Sequence, residues 1–225
     1  LIVTPDGDVL GRTGYQPGGP EAYVEHVREL RAKGGEVLER IGRLVASLEE
    51  AQGDAKAAVY GEAIAALKDM DGETPGVARL GDAVKGALAF DADGARGLKV
   101  GAIEALLASG QADDAVRTAA REIDPKNSAG LLEKVVLAQV NAVASEEAVA
   151  AACKEIVALD ALGPIRDPEV ALVLYVSAAD WHHRFLQGEA AAATAKRFAG
   201  KAKALVAGDA EYERLVAMLD EILGA

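Results

Sequence analysis

Leu1-Ile2-Val3-Thr4-Pro5-Asp6-Gly7-Asp8-Val9-Leu10-Gly11-Arg12-Thr13-Gly14-Tyr15 opens the chain, followed by Gln16-Pro17-Gly18-Gly19-Pro20. Two short apolar runs, Leu1 to Thr4 and Val9 to Tyr15, flank Pro-Asp-Gly-Asp, whose residues suit tight turns, so the stretch predicts a β-hairpin. Gln16 to Pro20 breaks the second strand. Pro20 suits a first helical position, since its missing N–H has no partner at a helix start. A helix is expected from Glu21 to Lys33, with Tyr23, Val27 and Leu30 on one face and Gly34-Gly35 ending it.

Everything after this unit reads as helix. The 225 residues are alanine-rich with 4% aromatics, and no alternating Val/Ile run follows Thr13, so the fold class is mainly α with close helix packing. Val37, Leu38, Ile41, Leu44, Val45 and Leu48 recur at helical spacing over 36–51, and a further helix is expected from Gly53-Asp54 to Met70. Asp71 to Gly76 is a loop. Ser145 with Glu146 and Glu147 marks a helix start. Asp167-Pro168-Glu169 marks the clearest one, an N-cap, a first-turn proline and a first-turn acid in succession. The helix after Pro168 is apolar nearly all round and should lie sandwiched between neighbours. Two more helices are expected, from Glu189 to Ala207 and from Asp209 to Leu223.

An internal period runs through the middle. Asp82 to Ala87, Asp114 to Ala119 and Glu147 to Ala152 resemble one another at spacings of 32 and 33 residues, and Gly97-Leu98 matches Gly130-Leu131 at 33. Two helices in such a period give a helical-hairpin repeat that buries its apolar face on the next copy. Gly110 falls in an inter-helix turn, and Ala115 and Ala148 are expected where paired helices touch. The unit from Gly94 to Asn127, ending Ile123-Asp124-Pro125-Lys126-Asn127, resembles a degenerate tetratricopeptide repeat without its Gly/Tyr positions.

The opening unit resembles the C-terminal β-β-α part of thioredoxin-like proteins. That family carries its Cys-x-x-Cys and cis-proline before this part, so no catalytic residue carries over, and the resemblance implies a redox half upstream of Leu1. A hairpin capping a helical protein is the other reading of the same residues. The division expected is 1–33 as a partial thioredoxin-like unit and 34–225 as the helical repeat domain. The hairpin is expected either to pair with that of a second copy, as a homodimer, or to dock on the helices, because a lone hairpin is marginal in water.

The net charge of −12 with a pI near 4.8 repels phosphate backbones, which excludes nucleic acid as the expected partner. The longest apolar run, Val170 to Ala179, is about half of the ~20 residues needed to span a membrane. One cysteine excludes an intrachain disulfide and leaves cytoplasm and periplasm both open.

Among candidate site residues, Trp181 and His182 are the expected partner-binding pair, weighed against a core tryptophan with solvated neighbours. Asp180 and His183 share a helix face but supply only two metal ligands. Asp91-Ala92-Asp93-Gly94 lacks the later ligands of a calcium loop and reads as a helix-ending turn. Cys153 stands where the preceding repeat has Ala120 and reads as a packed side chain. No nucleophile, base and orienting group come together, and no cofactor is expected. The function expected is a non-catalytic module binding a protein or peptide partner; the alternative is the C-terminal part of a thiol–disulfide oxidoreductase.

Overall fold

The computed structural model describes residues 1–5, 7–14 and 17–224. It opens on the expected hairpin, β1 (Ile2–Val3) antiparallel to β2 (Val9–Gly11), with Ile2 opposite Gly11 and Val3 opposite Val9. Its turn is tied by Gly7 N–H donating to the Thr4 carbonyl at 3.0 Å and by Asp8 N–H donating to the Thr4 hydroxyl at 3.0 Å. Asp6, Tyr15 and Gln16, expected in the turn, the second strand and the break, lie outside the described residues.

The helix that follows does not stop at Gly34-Gly35. α1 (Gly19–Glu50) is one helix of 32 residues with Pro20 in its first turn. A glycine inside a helix costs only about 1 kcal/mol relative to alanine, and Gly34 serves another purpose. It is buried beneath the hairpin, where an added Cβ would lie 2.2 Å from the Leu10 carbonyl oxygen. Leu10 is the buried residue of the hairpin, and Gly11 sits against Leu30. The hairpin therefore rests on α1 through a glycine notch, and the boundary expected at residues 33 and 34 falls inside a continuous helix.

By packing, the chain divides into two compact units, Leu1–Ala119 and Ala120–Ala225. The first holds the hairpin, α1, α2 (Gly53–Lys68), α3 (Val77–Phe90) and α4 (Leu98–Ala108), and α5 (Asp114–Ile123) begins in it. α1 packs on α2 and α3, and α4 packs on both of those. Ile41, Leu67, Leu80, Val84, Ile103 and Leu106 form its fully buried centre. Arg12 pairs with Glu73 at 3.2 Å; both are well exposed, so this tie from hairpin to helices adds little.

The second unit holds α6 (Leu131–Asn141), α7 (Glu146–Leu162), α8 (Pro168–Arg184), α9 (Glu189–Leu205) and, after a 3₁₀ turn, α10 (Glu213–Leu223). α8 is sandwiched as its all-round apolarity requires, touching α6, α7, α9 and α10. Its closest partner is α9, and buried alanines stand along both helices, Ala178 and Ala179 on one, Ala195, Ala199 and Ala202 on the other. Small side chains let the two axes approach. Asp167 caps α8 by accepting from Glu169 N–H at 2.9 Å and Val170 N–H at 3.3 Å, and Ser145 caps α7 by accepting from Ala148 N–H at 3.2 Å.

One expectation shifts by a residue. Ala115 is exposed and Ala148 half-buried, while Val116 and Val149 are buried. In an alanine-rich helix the small residues mark several possible faces, and the larger aliphatic side chain has more apolar area to remove from water.

Candidate functional site

Of the two units, the second carries an open apolar site, built on a frame of buried polar side chains. Asp124, just after α5, is buried, and its carboxylate accepts from the N–H of Ala129 at 2.9 Å and of Leu131 at 3.0 Å. This satisfies donors that the start of α6 cannot satisfy itself. Asn127, at φ 55°, takes the left-handed backbone that asparagine tolerates, and its Oδ1 accepts from Leu132 N–H at 3.2 Å.

Its Nδ2 donates to Glu133 Oε1 at 2.7 Å. Glu133 is buried and reaches on to the next loop, accepting from Arg166 N–H at 2.8 Å and Asp167 N–H at 3.2 Å. The Arg166 guanidinium returns the tie by donating to the Ser128 carbonyl. The starts of α6 and α8 are thus bolted together. A buried carboxylate is tolerated because each charge is met by fixed donors.

On this frame a cleft of about 330 Å³ opens between α6 and α7. Leu132, Val135 and Val136 of α6 form one wall, and Ala158, Leu159 and Leu162 of α7 the other, with Pro125 at the margin. Leu162 is half exposed at the rim. Arg121 and Glu155 also line it and pair with each other at 3.1 Å. Apolar walls with one self-neutralised ion pair fit apolar side chains; the lining offers no nucleophile with a base beside it.

Near the end of α7, Asp160 anchors a second polar cluster. Its side chain is buried and accepts from the Tyr175 hydroxyl at 3.2 Å and from Lys201 Nζ, with Arg197 at 3.8 Å. Burial first, then the charge of Asp160, pushes the Tyr175 phenol up. Tyr175 stacks on Phe198 with centroids 5.6 Å apart, and Arg197 lies 4.6 Å above the Phe198 ring. This cluster locks α7, α8 and α9 together.

Trp181 and His182 line no part of the cleft. Trp181 is half-buried and packs against the unit's core. His182 is buried, its Nδ1 2.8 Å from the Ala178 carbonyl and its ring 6.4 Å from that of Phe198. The helical turn that places Trp181 at the edge carries His182 inward. Asp180 pairs with Arg184 at 2.7 Å while His183 points to solvent. Among the described residues no three His, Cys, Asp or Glu side chains gather as a metal-holding group.

Cys153 is buried on α7, and burial pushes its thiol up to about 11, which leaves it without the thiolate that redox chemistry needs. Asp91, placed in a helix-ending turn, does end α3, and it also does more than that: it is fully buried and accepts from the N–H of Arg96, Leu98 and Lys99.

Asp124 and Asn127 are read from the sequence only as part of a repeat ending, and neither their capping role nor Glu133 is singled out there. Their signal lay in the period itself, since Asp91 and Asp124 stand at the same spacing of 33 as Gly97 and Gly130. The cleft had no such signal. Comparison with protein-family models, with curated proteins and with solved structures found no match to this chain. No helix among the described residues is long and apolar enough to cross a membrane.

Proposed function

We propose that this chain is a non-catalytic protein–protein interaction module, built from degenerate helical hairpins of tetratricopeptide-like character, whose second unit receives a protein or peptide partner in the α6/α7 cleft. The observation that carries the reading is the cleft itself: an apolar lining that reaches solvent at Leu132, Ala158 and Leu162, on a frame whose buried carboxylates Asp124 and Glu133 are satisfied. A rigid apolar notch with a neutralised rim suits anchoring side chains of a partner.

The test uses Ala158→Trp, which fills the cleft from an exposed position. Immobilised wild-type chain and the variant are each offered a lysate of the source cells, and retained proteins are compared by mass spectrometry. A protein retained by the wild type and lost with the variant supports the reading. Retention unchanged by the substitution, or none at all, contradicts it.

A second reading has one observation in its favour. Val3, Tyr23 and Val24, on the hairpin and the first turns of α1, are exposed, which suits a sheet continued by further strands. In this reading the hairpin and α1 are the C-terminal β-β-α part of a thioredoxin-like domain with its Cys-x-x-Cys half upstream. The intact mass of the native protein separates the two.

A further inference from the structure

We propose that the partner received by the α6/α7 cleft is an acidic peptide segment, one that seats apolar side chains in the cleft and carries Asp or Glu beside them; the inference rests on the cleft being the binding site. At about 330 Å³ the cleft lies at the small end of the ~300–1,000 Å³ usual for ligand pockets, so it takes a few side chains. Val135, Val136 and Leu159 are buried and form its base, while Leu132, Ala158 and Leu162 reach solvent and meet what enters. The charges in the lining, Arg121 and Glu155, close on each other at 3.1 Å. What surrounds the cleft therefore decides which apolar segment it admits.

The ground around it is positive, against the sign of the chain as a whole. Three segments frame the cleft: the end of α5 with the loop after it, the first turns of α6 and the second half of α7. Most of their acids are spent inward. Asp124 and Glu133 are buried on backbone N–H groups, and the Asp160 side chain is buried on Tyr175, Lys201 and Arg197. The charges left toward solvent are Arg121, Lys126, Lys134 and Lys154 against Glu122 and Glu155, and the Arg121–Glu155 pair removes one of each sign. Lys126 follows Pro125 at the margin, and Lys154 stands four residues before Ala158, on the same face of α7. Both are exposed. Their ammonium groups stay in water and favour a carboxylate carried beside an apolar anchor, and they oppose a lysine or arginine there.

The 225-residue chain is titrated into two fluorescent model peptides, each with a pair of leucines, one set among glutamates and the other among lysines, and anisotropy is read at low and at physiological salt. The Glu/Leu peptide is expected to bind about tenfold tighter or better, with the margin narrowing as salt screens the charges. Lys126→Glu combined with Lys154→Glu changes two exposed positions, so circular dichroism should be unaltered while Glu/Leu binding falls about tenfold and Lys/Leu binding rises. Ala158→Trp, which fills the cleft, should weaken both peptides. Equal binding of the two, preference for the Lys/Leu peptide, no binding of either, or binding indifferent to the charge reversal or to Ala158→Trp overturns the proposal. A native partner lost with Ala158→Trp but held equally well by the charge-reversed chain overturns this inference and leaves the interaction-module reading standing.

Discussion

Asp91 and Asp124 stand 33 residues apart and perform the same task, each ending one helix and capping the next through the N–H groups five and seven residues ahead. Gly94 and Asn127, the residues three places after each, share the left-handed backbone at φ 72° and 55°. The loops before α4 and α6 are therefore two copies of one device. The period is a property of the backbone geometry as well as of the letters.

Replacing Asp124 with alanine leaves two donors at the start of α6 without a partner in a buried place. The expected loss is about 1–3 kcal/mol, read as a lowered midpoint in urea at pH 7. Asp124→Asn retains one acceptor and should recover part of that loss.

Acid should unfold the protein through its depressed carboxylates. Burial alone would raise Asp91, but the N–H groups of Arg96, Leu98 and Lys99 outweigh it and hold the carboxyl below its usual value; Asp113 is lowered by Val116 N–H and then by Lys85. A folded pKa below the unfolded one gives stability that is complete above the ordinary carboxylate value of about 3.9 and is lost as pH falls through the folded value. Melting temperature should hold steady from neutrality to about pH 4.5 and then drop. Asp91→Asn should flatten that drop, and an equally steep drop in the variant would contradict the assignment.

Gly34 and Gly35 are neighbours in α1 with opposite expectations. Gly35 has open space, so Gly35→Ala should stabilise by about 0.5–1 kcal/mol through helix propensity. Gly34→Ala gains the same propensity but drives its Cβ into the Leu10 carbonyl, and should free the hairpin, seen as faster amide exchange at Leu10 and Gly11.

The hairpin, the helices and their caps were legible because each rests on local chemistry: Thr4 and Gly7 in the turn, Pro20, Ser145, Asp167-Pro168. The length of α1 was not, because nothing local distinguishes a glycine that ends a helix from one that admits a neighbouring strand. The burial of Val116 in place of Ala115 was not legible for a similar reason, since small residues occupy both exposed and buried positions here. Trp181 and His182 drew notice by residue type, whereas the cleft is made of ordinary Leu, Val and Ala whose exposure depends on how α6 and α7 splay. Asp124 and Glu133 look like solvated acids until long-range packing closes over them.

The corrected packing position gives its own check. Ala115→Leu changes an exposed site and should stay within about 0.5 kcal/mol, while Val149→Ala should cost about 2 kcal/mol for the lost burial and the cavity left behind. Thermal melts of the two variants decide it, and the reverse order would restore the original assignment.

Methyl-resolved NMR of the chain during titration with a protein that the wild type retains and Ala158→Trp loses tests the central claim most directly. The expected result is shifts at the methyls of Leu132, Val135, Val136, Leu159 and Leu162, with Val3, Val24 and the residues around Trp181 unmoved. Shifts centred on Trp181 or on the hairpin face, or no shifts at saturating partner, would contradict it.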